Sequence, residues 1–542
     1  MGDYYGYLIL GIFAFIFIGI SVIVSKKFPA EGVDDFVAAG RGIPSALIAA
    51  SVMVSWVWTT TLMGSAEAGM NFGISGGLNY AWGNAVPFFI LIPMVMHLRK
   101  KMPKCTTFTE FIEQRYNRTT SKVFFLFGVG VIIYVLVAQA VGIGIVFNSM
   151  FGIPYEIGAA VPIAIVTVYI SKAGLRGSIF NDVIQFFIIS IILIISVPVI
   201  LKTLGIDGIY NGLVDVVNNP NNPNYNPGAL SLGSSAGFRY GLTAVVVAMG
   251  QVLLDQGYYS KAIATASSKS LFRAYIIGTV VAWMPIPIIC GSVFGGATLS
   301  LGEKLALNSE AAPFIMKLVY GGGLGAIVFV LMVFMAGMTT GGGCLSGLQA
   351  LFTADFYKKY IKKDASEKQM MSFGKKITFA AGALVIVIAL LLKGHSLLML
   401  DIFSGILFAA PASSFVAGVY FKKTTPTIAI SSIICGLGSG LAAYFLIPNE
   451  DINWFVGNIL ALLVPAVIVI IGSLFSRHSF DFKKLEKYEP DHNVNRYGGL
   501  DMLSKTMLTV FYGGAYAWFC VGFLLIAVPA IKELVSMFSK KK

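Results

Sequence analysis

Long apolar segments recur along the whole chain, and they constrain its fold more than any other feature. A helix needs about 20 residues to cross the hydrocarbon core of a bilayer, and fourteen apolar segments here reach or approach that length. Backbone groups in lipid must bond within their own segment, and a membrane barrel would show short alternating segments, so we expect helices. The predicted spans are residues 7–24, 43–68, 77–98, 123–150, 155–171, 178–203, 240–259, 272–298, 319–350, 377–393, 397–420, 425–447, 453–475 and 507–534.

The composition excludes a water-soluble domain. Of the 542 residues, 56% are hydrophobic and 12% are charged, a balance typical of polytopic membrane proteins. No large hydrophilic block interrupts the spans, so we predict one transmembrane domain over residues 1–542. The first apolar segment follows Asp3 instead of a basic stretch, so we interpret it as a helix and not as a signal peptide.

The net charge of +13 indicates membrane orientation. With the N-terminus outside and alternate loops on opposite sides, the inner loops hold 30 of the 39 lysines and arginines. This asymmetry follows the positive-inside rule. We therefore expect a multi-pass protein of the cell membrane with both termini outside, and we do not expect nucleic-acid binding.

Four acidic residues stand out in the predicted spans: Glu67, Asp182, Asp255 and Asp401. Ionisable groups inside a membrane are costly and usually face a cavity or the protein interior, so each is a candidate site residue. Structural roles are also open. Asp401 lies near a predicted outer end and is expected at the interface, while Asp255 and Glu67 can cap broken helices or pair with a neighbouring donor.

The stretch AGMTTGGG, residues 336–343, has two readings. Its small residues are typical of close packing between membrane helices. The hydroxyls of Thr339 and Thr340, joined by carbonyls of an irregular helix, would instead form an all-oxygen shell for a hard monovalent cation.

The stretch VMVSWVWTTTLMGSAEAG, residues 52–69, is a candidate for that irregular helix. Thr59, Thr60 and Thr61 are β-branched, and their hydroxyls can bond to their own backbone, which favours local unwinding. Broken helices near the bilayer midplane form the binding sites of many secondary transporters.

Nothing in the sequence predicts an enzyme. The five cysteines show no CxxC or Cys/His spacing, and none of the four histidines lies in the middle of a span. We find no Ser/His/Asp arrangement and no metal cluster in the spans.

Three motifs resemble the sodium:solute symporter family, which includes proline, sugar and sialic acid permeases, and the resemblance runs from about Gly40 to about Lys423. AGRGIPSALIAAS (39–51) is similar to the family's entry into its second helix. AGLRGSIFNDVIQ (173–185) resembles the family signature, and AGMTTGGGCLSGLQALFTADFYKKY (336–360) resembles its sodium-binding segment.

The resemblance implies an all-α, polytopic fold with a five-plus-five inverted-repeat core of the LeuT type and flanking helices, about fourteen in all. The first five-helix repeat would cover 43–203, the second, inverted repeat 240–420, and C-terminal flanking helices 425–542. The first helix of each repeat would be discontinuous. The implied sodium ligands are the carbonyls of Val54, Val57 and Ala336 and the hydroxyls of Thr339 and Thr340, with Asp182 nearby as the supporting acid.

Within the family, residues 55–83 and LDQGYYSKAIA (254–264) are most similar to the urea and polyamine permeases. Gly64 and Glu67 depart from that branch, where Gln and a small apolar residue are expected. Aromatic walls with a few polar groups are typical of pockets for small polar molecules, although packing alone also explains aromatic residues in a membrane protein. The predicted solute pocket comprises Trp56, Trp58, Thr60, Glu67, Asn79, Tyr80, Trp82, Asp255, Gln256, Tyr258 and Tyr259.

These observations predict a sodium-coupled symporter of a small polar solute, such as urea or a related neutral or amine compound, that works by alternating access. A proton carried by Asp182 or Glu67 is an alternative coupling ion. Proline, another amino acid or a sugar are alternative solutes, and a channel or membrane sensor is the alternative of a different class. The expected partners are the solute, the sodium ion and the lipid bilayer, with the oligomeric state left open.

Overall fold

The computed structural model describes residues 4–27, 32–321 and 324–485, together with residues 519–520, 523–524, 526–528 and 531–532. The described chain is built from helices that follow one another with short connections. The helices of the first half are α1 (Tyr4–Lys27), α2 (Val33–Ala38), α3 (Ser45–Trp56), α4 (Thr60–Phe72), α5 (Ser75–Lys101), α6 (Phe108–Arg115), α7 (Arg118–Phe151), α8 (Tyr155–Leu204), α9 (Ile206–Asn218), α10 (Ser235–Leu253) and α11 (Gln256–Ala264).

The second half continues in the same way. The helices are α12 (Ser268–Ser300), α13 (Ala311–Tyr320), α14 (Leu324–Ala350, extended by a wider-wound segment, Leu351–Ile361), α15 (Glu367–Leu391), α16 (Leu397–Phe408), α17 (Ala410–Tyr420), α18 (Pro426–Leu446) and α19 (Glu450–Phe475).

Within the described residues, 11 helices are long and apolar enough to cross a membrane, or up to 13 if each of two bent pairs forms one span. The bent pairs are α3 with α4, at 61°, and α16 with α17, at 50°. These elements agree with the predicted polytopic helical class. The predicted span 507–534 lies largely outside the described residues, so the count of about fourteen stays a prediction.

One region differs from what the sequence suggested. The long connection after residue 204 contains a helix, α9, which begins directly after Gly205 at a positive φ of 72°. The predicted span 240–259 is discontinuous, as expected for the first helix of the predicted second repeat: it is interrupted at Leu254 and Asp255, and a second helix, α11, continues to Ala264. Lys261, which the charge count placed in an inner loop, is therefore inside a helix.

Asp401 was expected at the membrane interface, and the structure buries its side chain among neighbouring helices. Its side chain is only 4% exposed. One carboxylate oxygen accepts hydrogen bonds from Tyr134 Oη at 3.0 Å and Gln251 Nε2 at 2.7 Å. A buried carboxylate of this kind is stabilised by donors on neighbouring helices instead of by water.

Helix α14 lies at the centre of the arrangement that forms the candidate site. It packs against α7 and α8 on one side and against α3 and α11 on the other. Glycines allow the close approach to α11: a Cβ on Gly347 would lie 2.5 Å from the backbone nitrogen of Gly257. The small residues of 336–347 thus serve helix packing, as one of their two readings expected.

Candidate functional site

The chain unwinds between α3 and α4. Helix α3 ends at Trp56, and Val57 and Trp58 are not helical. Side chains satisfy the backbone groups that the break releases: Thr59 N donates to Gln139 Oε1 at 2.8 Å, and Thr61 Oγ1 donates to the carbonyl of Trp56 at 2.9 Å. The threonine run therefore stabilises the break, as its β-branched hydroxyl residues suggested.

The hydroxyls of Thr339 and Thr340 face this break from α14. Thr339 Oγ1 lies 2.8 Å from the carbonyl oxygen of Val54 and 2.9 Å from that of Ala336. Thr340 Oγ1 lies 3.3 Å from the carbonyl oxygen of Ser55 and 3.0 Å from that of Ala336. All five residues are buried. Oxygen atoms from two helices thus converge in a dry interior, the donor type that a monovalent cation accepts in broken-helix sites.

Val57 was expected to contribute its carbonyl oxygen, which accepts none of the hydrogen bonds described above for Thr339 and Thr340. Its backbone N–H donates to the carbonyls of Met53 and Val54 at 3.1 and 3.0 Å and so closes the end of α3. On α3, Thr340 instead approaches the carbonyl oxygen of Ser55. The structure therefore places four of the five predicted ligands together and adds Ser55 to them.

Asp182 is paired with Lys261, which the sequence analysis missed as a site residue. Lys261 Nζ lies 2.9 Å from Asp182 Oδ2, and the two side chains are 1% and 0% exposed. Ser51 Oγ donates to the same carboxylate oxygen at 2.6 Å. The ammonium also donates to Ser55 Oγ and, at 3.2 Å, to the carbonyl of Ser51. The predicted supporting acid thus neutralises a lysine that lies beside the threonines.

Aromatic rings surround Trp56 at the break. Its ring centroid lies 4.9 Å from Trp58, 5.1 Å from Phe88, 5.7 Å from Tyr258 and 5.9 Å from Trp283. All of these residues are buried. The sequence analysis named Trp56, Trp58 and Tyr258 but missed Phe88 and Trp283, because aromatic residues within apolar helices give no signal that separates a pocket wall from core packing.

Two further residues of the predicted pocket lie at the same break. Tyr80 Oη donates to Thr60 Oγ1 at 3.3 Å, which joins α5 to α4. Both side chains are buried. The indole N–H of Trp56 is buried as well and has no hydrogen-bond partner among the described residues. A buried donor without an acceptor costs free energy, so this N–H is available to a ligand that brings a carbonyl.

The predicted pocket residues Glu67, Asn79 and Trp82 have other hydrogen-bond partners in the protein. Glu67 accepts hydrogen bonds from Ser309 Oγ at 2.5 Å and Ser396 Oγ at 2.6 Å, and from the backbone N–H of Leu398 at 3.2 Å. Asn79 bonds to Trp82: the indole Nε1 of Trp82 donates to Asn79 Oδ1 at 2.9 Å. The structure therefore gives these three predicted pocket residues partners within the protein.

The start of α11 accounts for the remaining predicted residues. Asp255 caps the helix, because its Oδ1 accepts from the N–H of Gly257 at 2.7 Å. Gln256 holds the segment before α6: its Oε1 accepts from Phe108 N at 3.0 Å. Tyr259 packs its ring on Phe108, with centroids 5.4 Å apart. These contacts are structural, and only Asp255 borders the cation-site residues, through a small cavity that it shares with Thr340.

Comparison with known proteins identifies the family. Residues 36–436 match the model of the sodium:solute symporter family. The chain is 23% identical over 485 residues to the urea-proton symporter DUR3 of Oryza sativa subsp. japonica, covering 82% of this chain and 67% of the relative. It is 25% identical over 518 residues to the urea active transporter of Saccharomyces cerevisiae, covering 88% of this chain and 70% of the relative.

A solved structure has the same fold. The outward-open, substrate-bound state of a Na⁺-coupled sialic acid symporter superimposes with a TM-score of 0.70 at 18% identity, covering 87% of this chain and 98% of that one. These relatives are transporters and not enzymes. With a family model matched over most of its length, this chain belongs to the sodium:solute symporter family.

Proposed function

We propose that this chain is a symporter that couples the uptake of urea, or of a closely related neutral or amine compound, to the entry of sodium. One observation carries the proposal: at the break between α3 and α4, carbonyl oxygens contact the threonines of α14, and aromatic rings pack around Trp56. A cation and a solute bound there would be neighbours. The urea transporters among the relatives support urea as the solute.

The proposed sodium ligands are oxygens that the structure already brings together. They are the hydroxyls of Thr339 and Thr340 and the carbonyls of Val54, Ser55 and Ala336. The hydroxyls now donate to these carbonyls; with sodium bound, they would turn their lone pairs to the ion. Unwound carbonyls are the usual sodium ligands in broken-helix transporters.

The proposed solute position lies among the aromatic rings beside Trp56. Urea is planar and small, so it can stack on an indole or phenol ring, and its carbonyl oxygen can accept the unpartnered Trp56 N–H. Thr60 and Tyr80 offer hydroxyls at the edge of the same group. A neutral solute fits these groups because none of them carries a formal charge.

Alternating access would couple the two positions. Sodium bound between α3 and α14 stabilises the arrangement in which these helices are close, and it shifts the population only by its differential affinity for the two arrangements. Two inverted repeats over 43–203 and 240–420, with the N-terminus outside, are part of this proposal.

Proton coupling is the second candidate. It is favoured by the description of the rice relative as a urea-proton symporter and by the Asp182–Lys261 pair, two titratable groups placed beside the threonines. In that case the pair would carry the proton, and Thr339 and Thr340 would serve helix packing.

Uptake of labelled urea into proteoliposomes tests the proposal, with an imposed sodium gradient, a proton gradient or neither. Stimulation by sodium alone supports sodium-coupled urea symport. Stimulation by protons alone moves the coupling role to Asp182 and Lys261. No urea uptake under any gradient contradicts the assignment of the solute.

A further inference from the structure

Lys261 has the surroundings of a bound cation. Its ammonium group donates all three of its hydrogens, to the carboxylate of Asp182, the carbonyl of Ser51 and the hydroxyl of Ser55. The side chain is only 1% exposed. A buried charge is tolerated only where it is paired and hydrogen-bonded, and here oxygens from α3 and α8 meet both requirements.

The ammonium lies directly beside the proposed sodium ligands. Ser55 belongs to both groups, because its hydroxyl accepts from Lys261 and its carbonyl faces Thr340 Oγ1 at 3.3 Å. Lys261 and Thr340 also border one cavity of about 10 Å³, roughly the space for one water molecule. The proposed mobile cation and the ammonium would therefore be neighbours in one oxygen-lined interior.

A glycine on α14 leaves the space that the ammonium fills. A Cβ on Gly343 would lie 3.5 Å from Lys261 Nζ, 3.7 Å from Lys261 Cε and 3.7 Å from Ser55 Oγ. Any side chain longer than a methyl group at this position would compete with the ammonium. The titratable groups among the described residues that face the ammonium or its cavity are Asp182 from α8, Asp255 and Tyr258 at the start of α11, and Cys344 from α14.

We propose that the ammonium of Lys261 is a tethered cation, which permanently occupies a second cation position formed by Asp182, Ser51 and Ser55. The transporter then needs only one mobile cation per cycle, at Thr339 and Thr340. The role of this second position in transport rests on the proposed function. The cation binding itself does not depend on the solute: shortening Lys261 leaves an anionic, oxygen-lined cavity that binds a mobile monovalent cation.

The test compares the purified wild-type protein with the Lys261→Ala variant in increasing NaCl, KCl or LiCl, with choline chloride at constant ionic strength as reference. The thermal midpoint Tm is the readout, because a ligand that binds only the folded state raises Tm with its concentration. We expect Lys261→Ala to gain a cation-dependent rise in Tm beyond that of the wild type. A variant that stays folded and shows no added dependence on any of the three cations overturns the proposal.

The matched control removes the acid as well. In the Lys261→Ala, Asp182→Asn variant the cavity is neutral, so the added cation dependence should disappear. A bound sodium ion should stabilise Lys261→Ala as well as removal of the Asp182 charge stabilises the double variant. The proposal is therefore wrong if Lys261→Ala aggregates in both sodium and choline while the double variant stays folded.

Transport separates this inference from the proposed function. In proteoliposomes, the Hill coefficient of sodium-driven urea uptake should change from about 1 in the wild type to about 2 in Lys261→Ala. Absence of urea uptake in both proteins contradicts the proposed solute and leaves the Tm result to decide the role of Lys261. Uptake in both proteins with an unchanged Hill coefficient contradicts the tethered cation alone.

Discussion

Asp182 and Glu67 are both buried carboxylates, and the protein stabilises them in different ways. Asp182 is paired with the formal charge of Lys261 at 2.9 Å, and its second oxygen, Oδ1, has no partner among the described residues. Glu67 has neutral partners, including the hydroxyls of Ser309 and Ser396 at 2.5 and 2.6 Å.

The two carboxylates differ in what their partners supply. The donors around Glu67 join α4 to the start of α16 and to the segment before α13, and they occupy both of its carboxylate oxygens. At Asp182 one charge balances another, and Oδ1 accepts no hydrogen bond from the described residues. Burial alone, which made both acids candidates, does not distinguish these environments; the charge of the partner does.

The largest expected effect comes from breaking the ion pair. Asp182→Asn leaves the Lys261 ammonium buried without its counter-charge, which costs about 3–5 kcal/mol for a buried pair. Thermal unfolding of the purified protein in detergent should show a marked fall in Tm. The Asp182→Asn, Lys261→Met variant is the control, since removal of both charges should recover much of the loss. A Tm for Asp182→Asn equal to that of the wild type would contradict the importance of the pair.

The second prediction concerns the oxygens opposite the pair. The Thr339→Ala, Thr340→Ala variant loses two proposed ligands, so we expect the half-saturating sodium concentration for urea uptake to rise about 100-fold, or about 2.8 kcal/mol. Thr353→Ala is the matched control, because this buried threonine on the extension of α14 donates only within its own helix, to Gln349 and Ala350. Unchanged sodium dependence in the double variant would exclude sodium binding at this position.

The third prediction addresses the neutral side of the comparison. Glu67→Gln keeps an acceptor oxygen but turns an amide toward hydroxyl groups, so we expect a stability loss of about 1–2 kcal/mol. The KM for urea and the sodium dependence of uptake should remain as in the wild type. Glu67→Asp, which keeps the charge on a shorter side chain, gives the comparison. A rise in the urea KM of Glu67→Gln without loss of stability would place Glu67 at the solute after all.

The sequence predicted the helical membrane class and the position of the broken helix because both depend on local chemistry. Apolar segments must form helices in lipid, and the hydroxyls of Thr59, Thr60 and Thr61 favour unwinding of their own segment, whatever the rest of the chain does. The pairing of Thr339 with Val54 joins residues far apart in the chain; the motif resemblance implied it, and spacing alone did not.

The role of Lys261 could not be found in the same way. It follows a span in a stretch that the charge pattern assigned to a solvated inner loop, and its burial depends on Asp182 and Ser51, which are distant in the sequence. The sequence offered one indication of its burial: within LDQGYYSKAIA, Lys261 is the single lysine and lies among aromatic and small apolar residues. Nothing in the sequence pointed to Phe88 and Trp283, because their place in the aromatic group depends on which rings they contact in the folded protein.

The smallest expected effect tests the uncharged face of the break. Trp56→Phe keeps the ring among its aromatic neighbours and removes the buried indole N–H, which has no hydrogen-bond partner among the described residues. Loss of a hydrogen bond to the urea carbonyl should raise the KM for urea about fivefold, or about 1 kcal/mol, with little change in stability. Trp283→Phe is the matched control, because its N–H already donates to the carbonyl of Trp56 at 2.6 Å; its removal should lower stability more than urea affinity. Uptake assays on both variants give the KM for urea, and thermal unfolding gives their stability.

Equal urea KM values for Trp56→Phe and the wild type would mean that the solute does not reach the Trp56 N–H. The difference between Asp182 and Glu67 would then stand, and the proposed solute position beside Trp56 would be wrong.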